Sequence, residues 1–101
     1  MFSFLADIGN YQSRKVARDV SKSGIEVSTA FTSDEGYETA LLDDNGVHPV
    51  ERYDTKEQAV EGHSKWLAFA DNADGKEVTK LGGFGGFVDN EVITLRASVP
   101  Q

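Results

Sequence analysis

Two histidines, His48 and His63, are the side chains here that can exchange a proton near neutral pH, and the chain has no cysteine. No thiolate is therefore on hand as nucleophile or metal ligand. His63 lies between Ala59 and Trp66 on what reads as the apolar face of a helix. An imidazole there could serve as a general base. Its surroundings favour a buried ring that hydrogen-bonds a sheet and fixes the angle at which the helix docks. Gly62, one position earlier, would let the helix approach that sheet closely. His48 falls on a strand pattern beside Pro49. A histidine-based metal site would need both rings plus carboxylates, and nothing in their spacing calls for one. Asp71-Asn72-Ala73-Asp74-Gly75 has the composition of a calcium loop but neither its carboxylate spacing nor its closing Glu. It reads as the turn that ends the helix. No paired carboxylates, Ser-His-Asp order or H-E-x-x-H run is visible, so the reading is no enzyme, no cofactor and no metal.

Two segments could hold a ligand or a partner. In Gly82-Gly83-Phe84-Gly85-Gly86-Phe87 the glycines free the backbone to turn N–H groups towards an anion. No Gly-Lys-Ser/Thr follows, so this is not a Walker loop, and no helix follows to complete a dinucleotide fingerprint. Phe84 and Phe87, carried by Gly83 and Gly85, could stack on a base or enter a partner's groove. The plainer alternative packs both rings on the core and leaves the glycines to form a bulge. The second segment is the basic cluster Arg14, Lys15, Arg18 and Lys22, in a chain whose net charge is −7. Asp34, Glu35, Glu38, Asp43 and Asp44 come after it, then Glu51, Asp54, Glu57 and Glu61. One part of the molecule could thus hold an anion although the whole is acidic.

The elements that would carry these residues follow from the period of the pattern. Residues 13–21 read as a strand with Val16, Arg18 and Val20 on one side and Lys15, Ala17 and Asp19 on the other. Ile25, Val27, Thr29 and Phe31 alternate with Glu26, Ser28, Ala30 and Thr32 and form a second strand. Residues 37–43 supply a third. Asp44-Asn45-Gly46 follows, and Asn-Gly suits a two-residue hairpin turn because both positions tolerate positive φ. Residues 47–53 are the fourth strand, and Pro49, lacking an N–H, predicts an edge or a bulge there. Thr55 and Gln58 then spell a capping box. From Lys56 to Ala70 the period is helical, with Ala59, Val60, His63, Trp66, Leu67 and Ala70 on one face and Glu61 placed to pair with Lys65. Strands at 76–81 and 91–99 complete the series. The expectation is one α+β domain over residues 1–101: an antiparallel sheet of five to six strands with one amphipathic helix, 56–70, packed on one face.

The length of 101 residues allows one modest core and no deep walled active site. The apolar start, Met1 to Ile8, has no basic region and is interrupted by Asp7. It is too short for a signal peptide or a span of about 20 apolar residues. The chain reads as soluble and as working in a cytoplasm. The negative charge repels phosphate backbones, so direct nucleic-acid binding is not expected, and it favours basic partners.

Tyr37-Glu38-Thr39, then Arg52-Tyr53, then the helix with Ala59, Gly62, His63 and Trp66 resembles small accessory proteins encoded by phages and prophages. In those, a Tyr/Phe-Glu-Thr strand precedes Arg-Tyr and a helix bearing Ala-x-x-Gly-His-x-x-Trp. Ile8-Gly9-Asn10-Tyr11 with Arg14-Lys15-Val16 is also similar. The likeness covers residues up to about 70. It implies host takeover or counter-defence: a protein in the host cytoplasm that binds and inhibits a basic or nucleic-acid-handling host protein, for example of CRISPR-type immunity. A second reading is a sponge that sequesters a cyclic or ADP-ribose-derived nucleotide signal. It would hold phosphates with Arg14, Lys15, Arg18 and the glycine loop, and stack the base on an aromatic ring. A small hydrolase using His63 is the third. An open sheet edge would allow any of them to be a homo-oligomer.

Overall fold

The computed structural model describes residues 15–32, 36–81 and 91–97. Four strands, β1 (Lys15–Val20), β2 (Glu26–Thr32), β3 (Gly36–Asp43) and β4 (Gly46–Tyr53), pair antiparallel in sequence order. The helix α1 (Lys56–Ala70) follows, and β5 (Glu77–Lys80) pairs with β6 (Glu91–Thr94) as a separate two-stranded sheet. The α+β class and the antiparallel sheet under one helix are as the sequence indicates, but the strands divide four and two instead of forming one sheet. Pro49 explains the division. Its missing N–H interrupts the donor row along the free edge of β4, so β5 cannot continue the ladder and is tied there by Leu81 N–H donating to the Pro49 carbonyl at 2.8 Å. Pro49 also adjoins a bulge, since Thr39 pairs with Glu51 while Ala40 pairs with Pro49, leaving Val50 as the extra residue.

The β3–β4 hairpin closes one residue earlier than the Asn-Gly pattern suggests. Asp43 pairs with Gly46, so the two loop residues are Asp44 and Asn45, and Gly46 opens β4 at φ 123°, which L side chains rarely adopt. The Asp43 carboxylate accepts from Asn45 N–H, from His48 Nε2 and from Arg96 N–H. One buried side chain thereby joins the turn, the edge strand and the residues just after β6.

Thr55 caps α1 through the expected capping box, which contributes about 1 kcal/mol. At the far end the hydroxyls of Ser21 and Ser23 donate to the Ala70 carbonyl, and Lys22 N–H donates to Asp71, so the β1–β2 turn receives the helix terminus. The face that α1 buries is rotated from the one its apolar pattern suggests. Ala59, Gly62, His63 and Ala70 are buried and Trp66 and Leu67 half-buried, while Val60 is 48% exposed. Small residues on this face let the helix axis lie near the sheet, and the apolar core of Ile25, Val27, Leu41 and Val50 fills the space beside them. Val78 and Leu95 join the same core from the second sheet. No helix among the described residues is long and apolar enough to cross a membrane.

Candidate functional site

Ala17, Thr29, Thr39 and Glu51 are successive Cα partners across β1, β2, β3 and β4. Because side chains alternate along a strand, Asp19 and Tyr53 stand on the same side, towards the helix. The row carries polar groups where a core row is usually apolar. Buried polar groups need partners, and here they find one another. His63 Nε2 lies 2.8 Å from Asp19 Oδ2, and its Nδ1 lies 2.8 Å from Thr29 Oγ1. Thr29 Oγ1 is 2.5 Å from Thr39 Oγ1, which is 3.1 Å from the Tyr53 hydroxyl. That hydroxyl is 3.0 Å from Glu51 Oε1, which also accepts from Lys65 Nζ at 2.7 Å and Trp66 Nε1 at 2.8 Å. A continuous hydrogen-bonded seam thus crosses all four strands and is gripped at both ends by the helix.

Gly62 makes the seam possible. A Cβ built on it would fall on the Tyr53 ring, 2.5 Å from Cε1 and closer still to Cζ and the hydroxyl oxygen. Lys65 is drawn down to Glu51 on β4, and the expected pairing with Glu61 on its own helix gives way to this bond. Burial alone would raise the Glu51 carboxyl. The hydrogen bonds from Lys65, Trp66 and Tyr53 together outweigh it and hold the group below its ordinary 4.5. Burial pushes the Tyr53 phenol up to about 12, against the hydrogen bond with Thr39 and with the help of the Glu51 carboxylate.

Asp19, His63 and Thr29 stand in the carboxylate–imidazole–hydroxyl order of a nucleophilic triad. Thr29 is fully buried and His63 is 5% exposed, so the hydroxyl that would attack is closed beneath the helix, with Thr39 against it. The trio as it stands ties helix to sheet, the docking role that its place on the apolar face suggested for His63. His48 is buried too, its Nε2 on Asp43 and its Nδ1 without a partner among the described residues.

Beside the Tyr53 end of the seam lies an open groove of about 650 Å³ between the end of β4 and the first turns of α1. Glu51, Asp54 and Glu61 line it with Arg52 and Lys65, and Tyr53 and Gly62 also border it. Asp54 and Glu61 are exposed, and Lys65 is engaged with Glu51.

The sequence-nominated cluster sits elsewhere. Lys15 pairs with Ala30 and Arg18 with Ser28, so a bulge at Val16 turns both basic residues to the side of the sheet away from α1. A regular strand would have put them on opposite sides, as the alternation of residues 13–21 implied. Lys15 is exposed, and the Arg18 guanidinium is paired with Glu26. Arg14, Gly83, Phe84, Gly85 and Phe87 lie outside the described residues, so the juxtaposition of the basic cluster with the glycine loop does too. Asp19, Thr29, Thr39, Glu51 and Tyr53 were not singled out from sequence. The available signal was Thr29 and Thr39 standing at apolar positions of the alternation, which asks for a buried polar partner.

Compared with protein-family models, with curated proteins and with solved structures, the chain matches none.

Proposed function

We propose that the protein acts by binding a protein of the bacterial host and inhibiting it, as the phage accessory proteins it resembles would. The observation that carries this reading is the open groove beside α1. Asp54 and Glu61 stand exposed on it, in a chain of net charge −7. An open groove with exposed carboxylates suits a basic, nucleic-acid-handling surface, and complementary charge speeds and orients such encounters. The test is capture of host proteins from bacterial lysate by the tagged chain at low and at raised salt. The reading expects one dominant basic protein that raised salt releases. Retention of nothing at low salt sinks it.

A sponge for a nucleotide signal is the second reading, favoured by the bulge at Val16 that brings Lys15 and Arg18 to one side of the sheet. Calorimetry with cyclic and ADP-ribose-derived nucleotides tests it. Binding abolished by Arg14→Ala with Arg18→Ala supports this reading, and binding that survives both refutes the site.

A further inference from the structure

Among the asparagines of the chain, Asn45 alone precedes a glycine, and the pair stands at the tip of the β3–β4 hairpin. An asparagine carries an electrophile, its side-chain amide carbon, within reach of the next residue's backbone nitrogen. Attack closes a five-membered ring, and proximity makes such an intramolecular step far faster than the same groups meeting in solution. A side chain on the following residue crowds that ring, whereas glycine presents only hydrogen. In a folded chain the attack then depends on exposure and on room for the nitrogen to move.

The hairpin tip supplies both. Asn45 is exposed. A Cβ built on Gly46 would meet nothing within 4 Å, so the space beside that residue is open. Gly46 belongs to the last pair of the β3–β4 ladder, with Asp43, so its nitrogen is released by opening the tip alone. Asp43 meanwhile accepts from Asn45 N–H at 2.8 Å and holds the backbone of that residue in place. Asn72 is the contrast. It is exposed as well, but the next nitrogen belongs to Ala73, which is fully buried and donates to the Ala70 carbonyl at 3.2 Å. Releasing that nitrogen means drawing Ala73 out of the core.

We propose that Asn45–Gly46 is a self-modification site, at which the folded chain converts its own asparagine to aspartate and isoaspartate with water as co-reactant. The Gly46 nitrogen forms a bond to Asn45 Cγ, and the Cγ–Nδ2 bond breaks. The side-chain amide leaves as ammonia and carries off the proton of the Gly46 N–H. Water then opens the cyclic imide. Addition at Cγ restores the ordinary main chain and leaves aspartate. Addition at the backbone carbonyl carbon leaves isoaspartate, whose main chain runs through Cβ and Cγ. Either product carries a carboxylate that the asparagine lacked, and nothing is oxidised or reduced.

The two products differ in what they do to the fold. Aspartate keeps the pairing of Asp43 with Gly46. Isoaspartate puts an extra carbon between Cα of residue 45 and the Gly46 nitrogen, inside a loop of only two residues, and loop length sets hairpin register. The Asp43 carboxylate at this pair is also the acceptor for His48 Nε2 and for Arg96 N–H. The isoaspartyl product therefore loosens the junction that ties the turn to the edge strand and to the residues after β6.

Incubation of the intact protein in warm neutral buffer, followed by chromatography and peptide mass spectrometry, tests this without any variant. Peptide mapping should place amide loss at Asn45 while Asn72 keeps its amide. Chromatography should resolve an aspartyl and an isoaspartyl species, both more acidic than the starting protein. The isoaspartyl species should unfold at lower urea than fresh protein, and the aspartyl species at the same urea. Asn45→Ser, which keeps a turn-compatible residue at the tip, should abolish both species. Retention of the Asn45 amide in the folded protein, or loss at Asn72 as fast as at Asn45, would overturn the site. So would the same two species forming in Asn45→Ser. An isoaspartyl species as stable as fresh protein would overturn the effect on the Asp43 junction.

Discussion

Gly62→Ala is a substitution that helix propensity alone predicts to stabilise. In an exposed helix it would gain about 1 kcal/mol. Here the new methyl meets the Tyr53 ring 2.5 Å from Cε1, deep inside the usual carbon–carbon separation of about 3.5 Å or more. Tyr53 cannot retreat along its strand, so it must swing out of the seam or the helix must lift. Overpacking of this kind costs about 1–3 kcal/mol. Displacing the phenol also breaks its bonds to Thr39 and Glu51, at about 1 kcal/mol each. The net expectation is a loss of about 3 kcal/mol, and a fall in Tm of more than about 10 °C. Urea denaturation of wild type, Gly62→Ala, Tyr53→Ala and the double variant measures this directly. In the Tyr53→Ala background the ring is gone, so Gly62→Ala should there be neutral or stabilising by up to about 1 kcal/mol. Gly62→Ala as stable as the wild type, or equal costs in both backgrounds, would refute the close approach of helix and strand.

Other outcomes follow from the same contacts. Asp43→Ala strands two backbone N–H groups and the buried His48 ring, and should cost about 3 kcal/mol in urea denaturation. Glu51 titrates below its ordinary 4.5 in the folded chain, so its contribution is present above that value and is lost as pH falls through the folded one. Glu51→Gln should therefore flatten the acid limb of the stability profile. Alkaline titration followed by tyrosinate absorbance should show one of the three tyrosines, Tyr53, ionising near 12. Val60→Ser should change stability by less than about 0.5 kcal/mol, because Val60 faces solvent.

What the sequence discloses depends on how local the cause is. The helix bounds are readable because Thr55 and Gln58 form a self-contained cap, and Pro49 marks both the edge and the bulge because a missing N–H acts where it stands. The rotation of α1 is not readable. Val60 matches the apolar period as well as Ala59 does, and the choice is made by Tyr53 needing the space over Gly62. The seam is hidden for the same reason. Asp19 and His63 are 44 positions apart, and Thr29 reads as one more strand residue until Thr39 is placed opposite it. The bulge at Val16 leaves no mark in composition, yet it decides which side Lys15 takes.

The proposed binding face can be separated from net charge by comparing two variants of equal charge. Asp54→Lys with Glu61→Lys reverses the groove. Glu77→Lys with Glu91→Lys reverses exposed positions on the β5–β6 hairpin instead. Affinity for the captured host protein, measured for both at one salt concentration, is the most direct test. The account predicts at least a tenfold loss, about 1.4 kcal/mol, for the groove variant and little change for the hairpin variant. Equal losses, or none in the groove variant, would contradict it.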